Sequence, residues 1–138
     1  KMKTDSQSLN QLTDIFLQRW GIKLNTYKDE FHRTDCYFTY KGKEWEVEVK
    51  KRRFNKNTYP TAIINTDKFI ELCKRNAILV CMYNDCWGIC KDVRKAFIKE
   101  TKIFCNHCTD FPSNPEWGSK VELNLNAFKW YNYEEADN

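Results

Sequence analysis

A short stretch around position 42 holds three side chains whose chemistry suits the hydrolysis of a phosphate ester. They are Asp35, Glu48 and Lys50. Carboxylate oxygens are the hard ligands that Mg²⁺ and Mn²⁺ prefer, and the backbone carbonyl of Val49 could add a third ligand. A metal bound there would polarise a phosphate and lower the pKa of a water molecule. An ammonium group beside it could orient that water or stabilise developing charge.

A β-hairpin centred on Gly42 would bring these side chains together. The stretch DCYFTYKGKEWEVEVK alternates apolar and polar residues on both sides of that glycine, as hairpin strands do. A two-residue Gly42-Lys43 loop of type II′ would set the register. It would pair Tyr40 with Trp45, Phe38 with Val47 and Cys36 with Val49 on one face, and Thr39 with Glu46, Tyr37 with Glu48 and Asp35 with Lys50 on the other. A three-residue loop would mix the two sets, so the hydrophobic pattern favours this register.

Basic residues are concentrated in the same part of the chain. Residues 41–56 contain seven Lys or Arg against three Glu, an excess equal to the net charge of +4 of the whole chain. A basic segment beside a carboxylate pair favours a polyanionic substrate, although a solvated strand edge that blocks aggregation would show the same run. The candidates for binding nucleic-acid phosphates are Lys51, Arg52, Arg53, Lys56 and Lys68.

The spacing of apolar residues predicts the elements around the hairpin. Helices are predicted over residues 6–20, from Thr66 or Asp67 to about Arg75, and over residues 92–100. The run AILVCMY at 77–83 predicts a central strand buried on both faces. Short extended segments are expected at 22–26, 61–65 and 86–90, a loop at 109–118 and an outer strand at 120–125.

Length and composition indicate one folded domain. The chain has 138 residues, of which 41% are hydrophobic and 15% aromatic, and this excludes a disordered protein. We find no apolar run of the ~20 residues that a membrane span needs and no signal-peptide core. We therefore expect no membrane partner and a cytoplasmic protein of a microbial or phage-infected cell.

Asp35 followed by Glu48-Val49-Lys50 at the end of the next strand resembles the PD-(D/E)xK nuclease superfamily. This superfamily includes restriction endonucleases, archaeal Holliday-junction resolvases and many small phage nucleases. Thr34 stands where the motif has its proline. Residues 58–72 (TYPTAIINTDKFIEL) also resemble the segment that follows the ExK strand in small phage-type members. The resemblance covers roughly residues 7–93, and its motif is short and degenerate.

The resemblance implies an α/β fold with a restriction-endonuclease-like αβββαβ core, in which helices flank a mixed central sheet. Residues 1–138 would form one domain, with the core at about 7–93 and a C-terminal elaboration at about 94–138. It also implies a Mg²⁺- or Mn²⁺-dependent DNA endonuclease in which Asp35 and Glu48 bind metal and Lys50 assists the water. Related enzymes often add an acid from the first helix, where Asp14 is the candidate. A homodimer would be the simplest way to cut two strands.

A catalytically inactive protein of the same fold is the first alternative. Glu-x-Lys is common in a chain that is 30% charged, and Lys50 opposite Asp35 could be an ordinary cross-strand ion pair. Such a protein would bind nucleic acid or a protein partner, as a phage counter-defence factor does, whether or not metal is present.

A zinc-stabilised interaction module is the second alternative. Cys86, Cys90, Cys105 and Cys108 could provide four thiolates, with His107 as a substitute ligand. Against this, the first two have strand spacing, and seven cysteines in a chain without secretory features are expected to be reduced. We therefore expect Mg²⁺ or Mn²⁺ rather than Zn²⁺. His32 lies in a loop near Asp35, and its position does not predict a metal ligand.

Overall fold

Two β-sheets and three helices make up the part of the chain that the computed structural model describes, residues 6–29, 31–105 and 116–133. In chain order the elements are α1 (Ser6–Trp20), β1 (Asn25–Thr26), β2 (Cys36–Tyr40), β3 (Lys43–Lys51), β4 (Thr61–Asn65), α2 (Thr66–Cys73), β5 (Ala77–Met82), β6 (Trp87–Cys90), α3 (Val93–Ala96), β7 (Phe97–Cys105), β8 (Glu116–Asn124) and β9 (Lys129–Tyr131). Short 3-10 turns occupy Lys56–Thr58 and Leu125–Ala127. Of the helices described, none has both the length and the apolar character that crossing a membrane requires.

The larger sheet has six strands in the order β1-β2-β3-β5-β6-β9. Strands β3 and β5 are parallel, and every other neighbouring pair is antiparallel. All six residues of β5 are buried, as its continuous apolar run predicts for a central strand covered on both faces. The predicted α/β class, with a mixed central sheet flanked by helices, is confirmed.

Each face of this sheet has its own hydrophobic core. Helix α1 covers one face, where Leu12, Ile15 and Phe16 pack against alternate residues of β2, β3 and β5. Gly21, with a φ of 64°, ends this helix in the left-handed conformation that glycine adopts readily. The other face is covered by α2, α3 and a three-stranded antiparallel sheet of order β4-β8-β7. The six-stranded sheet is therefore the middle layer of three.

The register of the β2–β3 hairpin differs from the predicted one by two residues. Cys36 pairs with Val47 and Phe38 with Trp45. The loop is Lys41-Gly42, with φ values of 52° and 76°, and two positive φ values are the mark of a type I′ turn rather than type II′. A shift of two residues leaves every side chain on its predicted face, so the hydrophobic pattern alone could not distinguish the two registers.

The C-terminal third also differs from its prediction. The helix predicted over 92–100 ends at Ala96, and the β-branched residues that follow belong to β7, which pairs with β8. The predicted outer strand at 120–125 lies instead in the middle of the three-stranded sheet, between β4 and β7. Of the loop predicted at 109–118, residues 116–118 belong to β8, and the rest lies outside the described residues.

We expect Gly88→Ala to destabilise the protein, because the Trp130 side chain of the neighbouring strand β9 packs against Gly88. Gly88 pairs with Trp130, and a Cβ at position 88 would lie 2.5 Å from a carbon of the indole ring. Overpacking of this kind typically costs about 1–3 kcal/mol. The measurement is urea denaturation, with Gly118→Ala as the control because its added Cβ meets nothing closer than 3.6 Å. Equal stability of the two variants would contradict the β6–β9 pairing.

Candidate active site

The face of β3 that carries Glu48 and Lys50 is the face covered by α2. Glu48 lies beside Leu79 of β5, and Leu79 belongs to the core under α2 and the three-stranded sheet. Val49 lies beside Val80, which belongs to the core under α1. Because side chains alternate along a strand, Glu48 and Lys50 lie on the opposite side of the sheet from α1.

Asp35 lies immediately before β2 and is attached to β3 by its backbone and its side chain. Its N–H donates to the carbonyl of Val47 at 3.0 Å, and its Oδ2 accepts the N–H of Val49 at 2.8 Å. The corrected register places it across from Glu48 instead of Lys50, one step beyond the pairing of Cys36 with Val47. Asp35 is 6% exposed, so the hairpin buries two neighbouring carboxylates.

The Glu48 carboxylate is surrounded by lysine ammonium groups. Glu48 is 1% exposed. Its Oε2 lies 3.5 Å from Nζ of Lys50, and its Oε1 lies 3.4 Å from Nζ of Lys68. Lys68 also donates to the carbonyl of Arg33 at 2.5 Å. A buried carboxylate is costly unless it is paired, and these two lysines supply the compensating charge.

The donor set suits a hard divalent cation. Mg²⁺ is commonly held by one or two carboxylates, with water completing its coordination, and Asp35 and Glu48 are two buried neighbouring carboxylates. Within the described ranges, no group of three or more His, Cys, Asp or Glu side chains could hold a metal. Asp14 is exposed on α1. Further ligands would have to be backbone carbonyls, such as that of Val49, or water.

The predicted phosphate-binding cations occupy different sides of the sheet. Lys51 and Arg53 line a cavity of about 450 Å³ together with Gln7, Ser8 and Gln11 of α1. On the other side, Arg52 donates to the carbonyl of Ile63 in β4 at 2.6 Å, and Lys68 lies at Glu48. Lys56 Nζ lies 4.6 Å from the centroid of the Trp130 ring. Because side chains alternate along β3, the cations of the basic segment are divided between the two faces of the sheet.

A second charged cluster beside this site was not predicted. It is centred on Glu46, which pairs with Arg75 and accepts a hydrogen bond from Thr34. The signal for it was the position of Glu46, two residues before Glu48 and so on the same strand face. Nothing in the local sequence pointed to Arg75, which approaches from the turn after α2.

The cysteines described are free thiols: Cys36, Cys73, Cys81, Cys86 and Cys90. Cys86 and Cys90 are both buried. Burial raises the pKa of Cys90 to about 11 and also raises the pKa of Cys86, so neither is a ready thiolate. The side chains of Cys105, His107 and Cys108 lie outside the described residues. Of the predicted cysteine cluster, the structure therefore describes Cys86 and Cys90.

Comparison with known proteins identifies the fold through a solved structure. A scan of protein-family models finds no match, and a search of curated proteins finds none either. Among solved structures, the chain is similar to Hjc of Archaeoglobus fulgidus, a Holliday junction resolvase from an archaeal hyperthermophile. The TM-score is 0.50 at 12% sequence identity, with 91% of this chain and 98% of that chain covered. This chain has the restriction-endonuclease-like fold.

Within the restriction-endonuclease-like fold, the candidate site lies where β3 is flanked by antiparallel β2 and parallel β5. The resemblance to the PD-(D/E)xK superfamily, inferred from Asp35, Glu48 and Lys50, is thereby confirmed for the fold. At 12% identity the likeness extends no further, and the roles of these three residues stay predictions.

We expect Lys68→Met to lower the free energy of unfolding by about 1–3 kcal/mol, because it removes one of the cations paired with buried Glu48. The measurement is urea denaturation without divalent metal. Lys99→Met is the matched control, since Lys99 is 63% exposed where it pairs with Glu122 and such pairs contribute little. Equal effects of the two substitutions would show that Lys68 does not stabilise Glu48.

Proposed function

We propose that the protein is a divalent-metal-dependent nuclease that hydrolyses phosphodiester bonds of DNA. The observation that supports this most directly is the pair of buried carboxylates, Asp35 and Glu48, beside two lysines. Its fold, shared with a Holliday junction resolvase, agrees with that chemistry. A soluble protein that acts on DNA in the cytoplasm, and a homodimer for cutting two strands, belong to the same proposal.

Asp35, Glu48 and the carbonyl of Val49 would hold Mg²⁺ or Mn²⁺. The metal would supply a polarised phosphate and a water of lowered pKa. Lys50 extends from the strand that carries Glu48, so its ammonium group can orient the attacking water or stabilise the charge that develops on the phosphate. A cation held by Glu48 would displace the ammonium group of Lys68, which could then bind a phosphate oxygen.

Cations on both faces of the central sheet would hold the DNA backbone. On the α1 side, the described residues that line the cavity with Lys51 and Arg53 carry amide and hydroxyl groups, and such a set of donors suits a phosphodiester. Arg52, Lys56 and Lys68 belong to the proposed phosphate-binding set, but each already has a protein partner. We therefore assign most of the backbone affinity to Lys51 and Arg53.

The test of catalysis is the nicking of supercoiled plasmid in Mg²⁺ or Mn²⁺. Wild type should nick the plasmid, and Glu48→Gln and Lys50→Ala should each lower the rate by roughly a hundredfold or more, because each removes a group required for the chemistry. Circular dichroism checks that the variants are folded. Lys91→Ala, an exposed lysine away from the site, is the control.

A metal-binding measurement accompanies the nicking assay. A ligand at a hundred times its Kd stabilises a protein by about 2.7 kcal/mol, so Mn²⁺ should raise the Tm of wild type and not that of Glu48→Gln. Absence of cleavage by wild type on plasmid, single-stranded and branched DNA would refute the enzymatic function.

We expect the double substitution of Lys51 and Arg53 by Gln to weaken DNA binding mainly at low salt. Removing one phosphate-binding cation should reduce the slope of the logarithm of the DNA association constant against log salt concentration by about 1. The measurement is fluorescence anisotropy of labelled duplex and four-way-junction DNA in Ca²⁺. Replacing Lys91 and Lys95, which are exposed near α3, by Gln removes equal charge. The same change of slope in both double variants would mean that the cavity is not a phosphate site.

An inactive DNA- or protein-binding protein of the same fold is the second candidate. The ion pairs of Glu48 with Lys50 and Lys68 agree with this candidate, because they already balance the charge of the carboxylate. Such a protein would bind its partner equally well with EDTA or Mg²⁺ and would give no cleavage. Elemental analysis of the purified protein tests the remaining alternative, the zinc-stabilised module, because zinc would copurify in stoichiometric amount.

A further inference from the structure

The charged cluster centred on Glu46 is partly buried and connects separate parts of the chain, unlike the charges of a solvated strand surface. The Glu46 side chain is 15% exposed. One terminal nitrogen of Arg75 lies 3.1 Å from each of its carboxylate oxygens. The hydroxyl of Thr34 donates to Oε1 at 2.8 Å, and the hydroxyl of Tyr27 donates at 3.4 Å. A single carboxylate therefore joins β3 to two other parts of the chain.

Arg75 connects this carboxylate to α2. Its Nε donates to Oε1 of Glu71 at 2.6 Å, and Oε2 of Glu71 lies 3.7 Å from the guanidinium group of Arg33. Burial opposes the charge of Arg75, but its hydrogen bonds to Glu71 and Glu46 raise its pKa above the ordinary value. The hydrogen bond from Arg75 also lowers the pKa of Glu71. Both members of that pair are thus charged at neutral pH.

The same cluster holds Tyr27 and the 31–34 segment, which leads into Asp35. His32 stacks on Tyr27 with ring centroids 3.5 Å apart, and its Nε2 lies 3.8 Å from Glu46. Thr34 is fully buried, and its N–H donates to Nδ1 of His32 at 3.3 Å. Burial and the nearby Glu46 charge raise the pKa of Tyr27 to about 12, so Tyr27 remains a neutral donor.

Lys68 is attached to this segment as well. It donates to the carbonyl of Arg33, the residue between His32 and Thr34. Asp35 and Lys68 both approach Glu48 from outside β3, and residues 33 and 34 help to hold both of them. This segment is in turn fixed by Glu46 and, through Glu71, by Arg75.

We infer that Arg75 and Glu46 form a clamp that positions Asp35 and Lys68 around Glu48. Both are positioning residues, since they act through the 31–34 segment and the end of α2. With the clamp open, Lys68 loses its fixed acceptor at Arg33, and Asp35 loses the buried anchor that precedes it. The part of this inference that concerns metal affinity rests on the proposed function, whereas the placement of Lys68 does not.

The test compares Arg75→Gln with Arg94→Gln in the full chain. Arg94 is the matched control because two of its nitrogens also contact carboxylate oxygens, here both of Asp92, at 2.9 and 3.1 Å, on the exposed start of α3. Two quantities are measured: the rate at which an acetylating reagent modifies Lys68, followed by mass spectrometry, and the rise in Tm that Mn²⁺ produces. Both report on the site without requiring turnover.

Arg75→Gln should speed acetylation of Lys68 by roughly fivefold or more, because opening of the segment exposes the amine. It should also alter the Mn²⁺-induced rise in Tm. A smaller rise would show that the clamp acts on the metal site through Asp35, and a larger rise would show that it acts by holding Lys68 against Glu48. Arg94→Gln should change neither quantity, and Arg75→Lys, which keeps the charge but not the planar group, should restore part of the protection. Glu46→Gln provides the same comparison if Arg75→Gln does not fold.

Unchanged acetylation of Lys68 in a folded Arg75→Gln or Glu46→Gln variant would overturn the clamp. A wild type that shows no response to Mn²⁺, together with faster acetylation of Lys68 in Arg75→Gln, would support the clamp and count against the metal site. The failure of the proposed function is therefore distinguishable from the failure of this inference.

Discussion

The carboxylate of Glu48 is 1% exposed, and a charge in such a position must be balanced by groups brought to it from elsewhere in the fold. Lys50 reaches it from the same strand and Lys68 from α2. For Lys68 to reach Glu48, α2 must lie across that face of the sheet. The position of α2 in turn constrains the positions of β4, which precedes it, and of β5, which follows it. The position of one buried charge thus accounts for much of the arrangement around β3.

The charge of Glu48 can be balanced by lysine ammonium groups or by a metal ion, but not by both at short range. The lysine ammonium groups lie within 3.5 Å of the Glu48 oxygens, where a cation bound to the same oxygens would repel them. Asp35 is different, because its Oδ2 accepts a backbone N–H from Val49, a neutral donor that a metal need not displace. The site is therefore asymmetric, with one carboxylate fixed by the backbone and the other held by movable side chains.

The sequence predicted local structure well where periodicity determines it. The spacing of Leu12, Ile15 and Phe16 predicted α1 correctly, and the apolar run at 77–83 predicted the central strand β5. The polar and apolar faces of the hairpin were also correct. The register of the hairpin was predicted wrongly, because alternation determines which face a side chain occupies but not which residue lies opposite it. The choice between the two possible turns depended on whether Lys41 adopts a positive φ.

Features that depend on distant pairing could not be predicted. Strand β9 joins β6, and β8 lies between β4 and β7, but the residues involved carry no local signal for those partners. The same holds for Arg75, whose contact with Glu46 arises only when α2 crosses the sheet. Asp35, Glu48 and Lys50 could be proposed from the sequence because a hairpin brings them together over a short length of chain.

The pairing of β4 with β8 has a consequence for the order in which the protein is made. Thr61 pairs with Asn124 and Asn65 with Lys120, so β4 remains without its sheet partner until the ribosome has synthesised residues 120–124. Helix α2 follows β4 directly, and long-range contacts of this kind form late. The nascent chain can therefore complete the β2–β3 hairpin early, while the three-stranded sheet can form only after residues 116–124 have emerged.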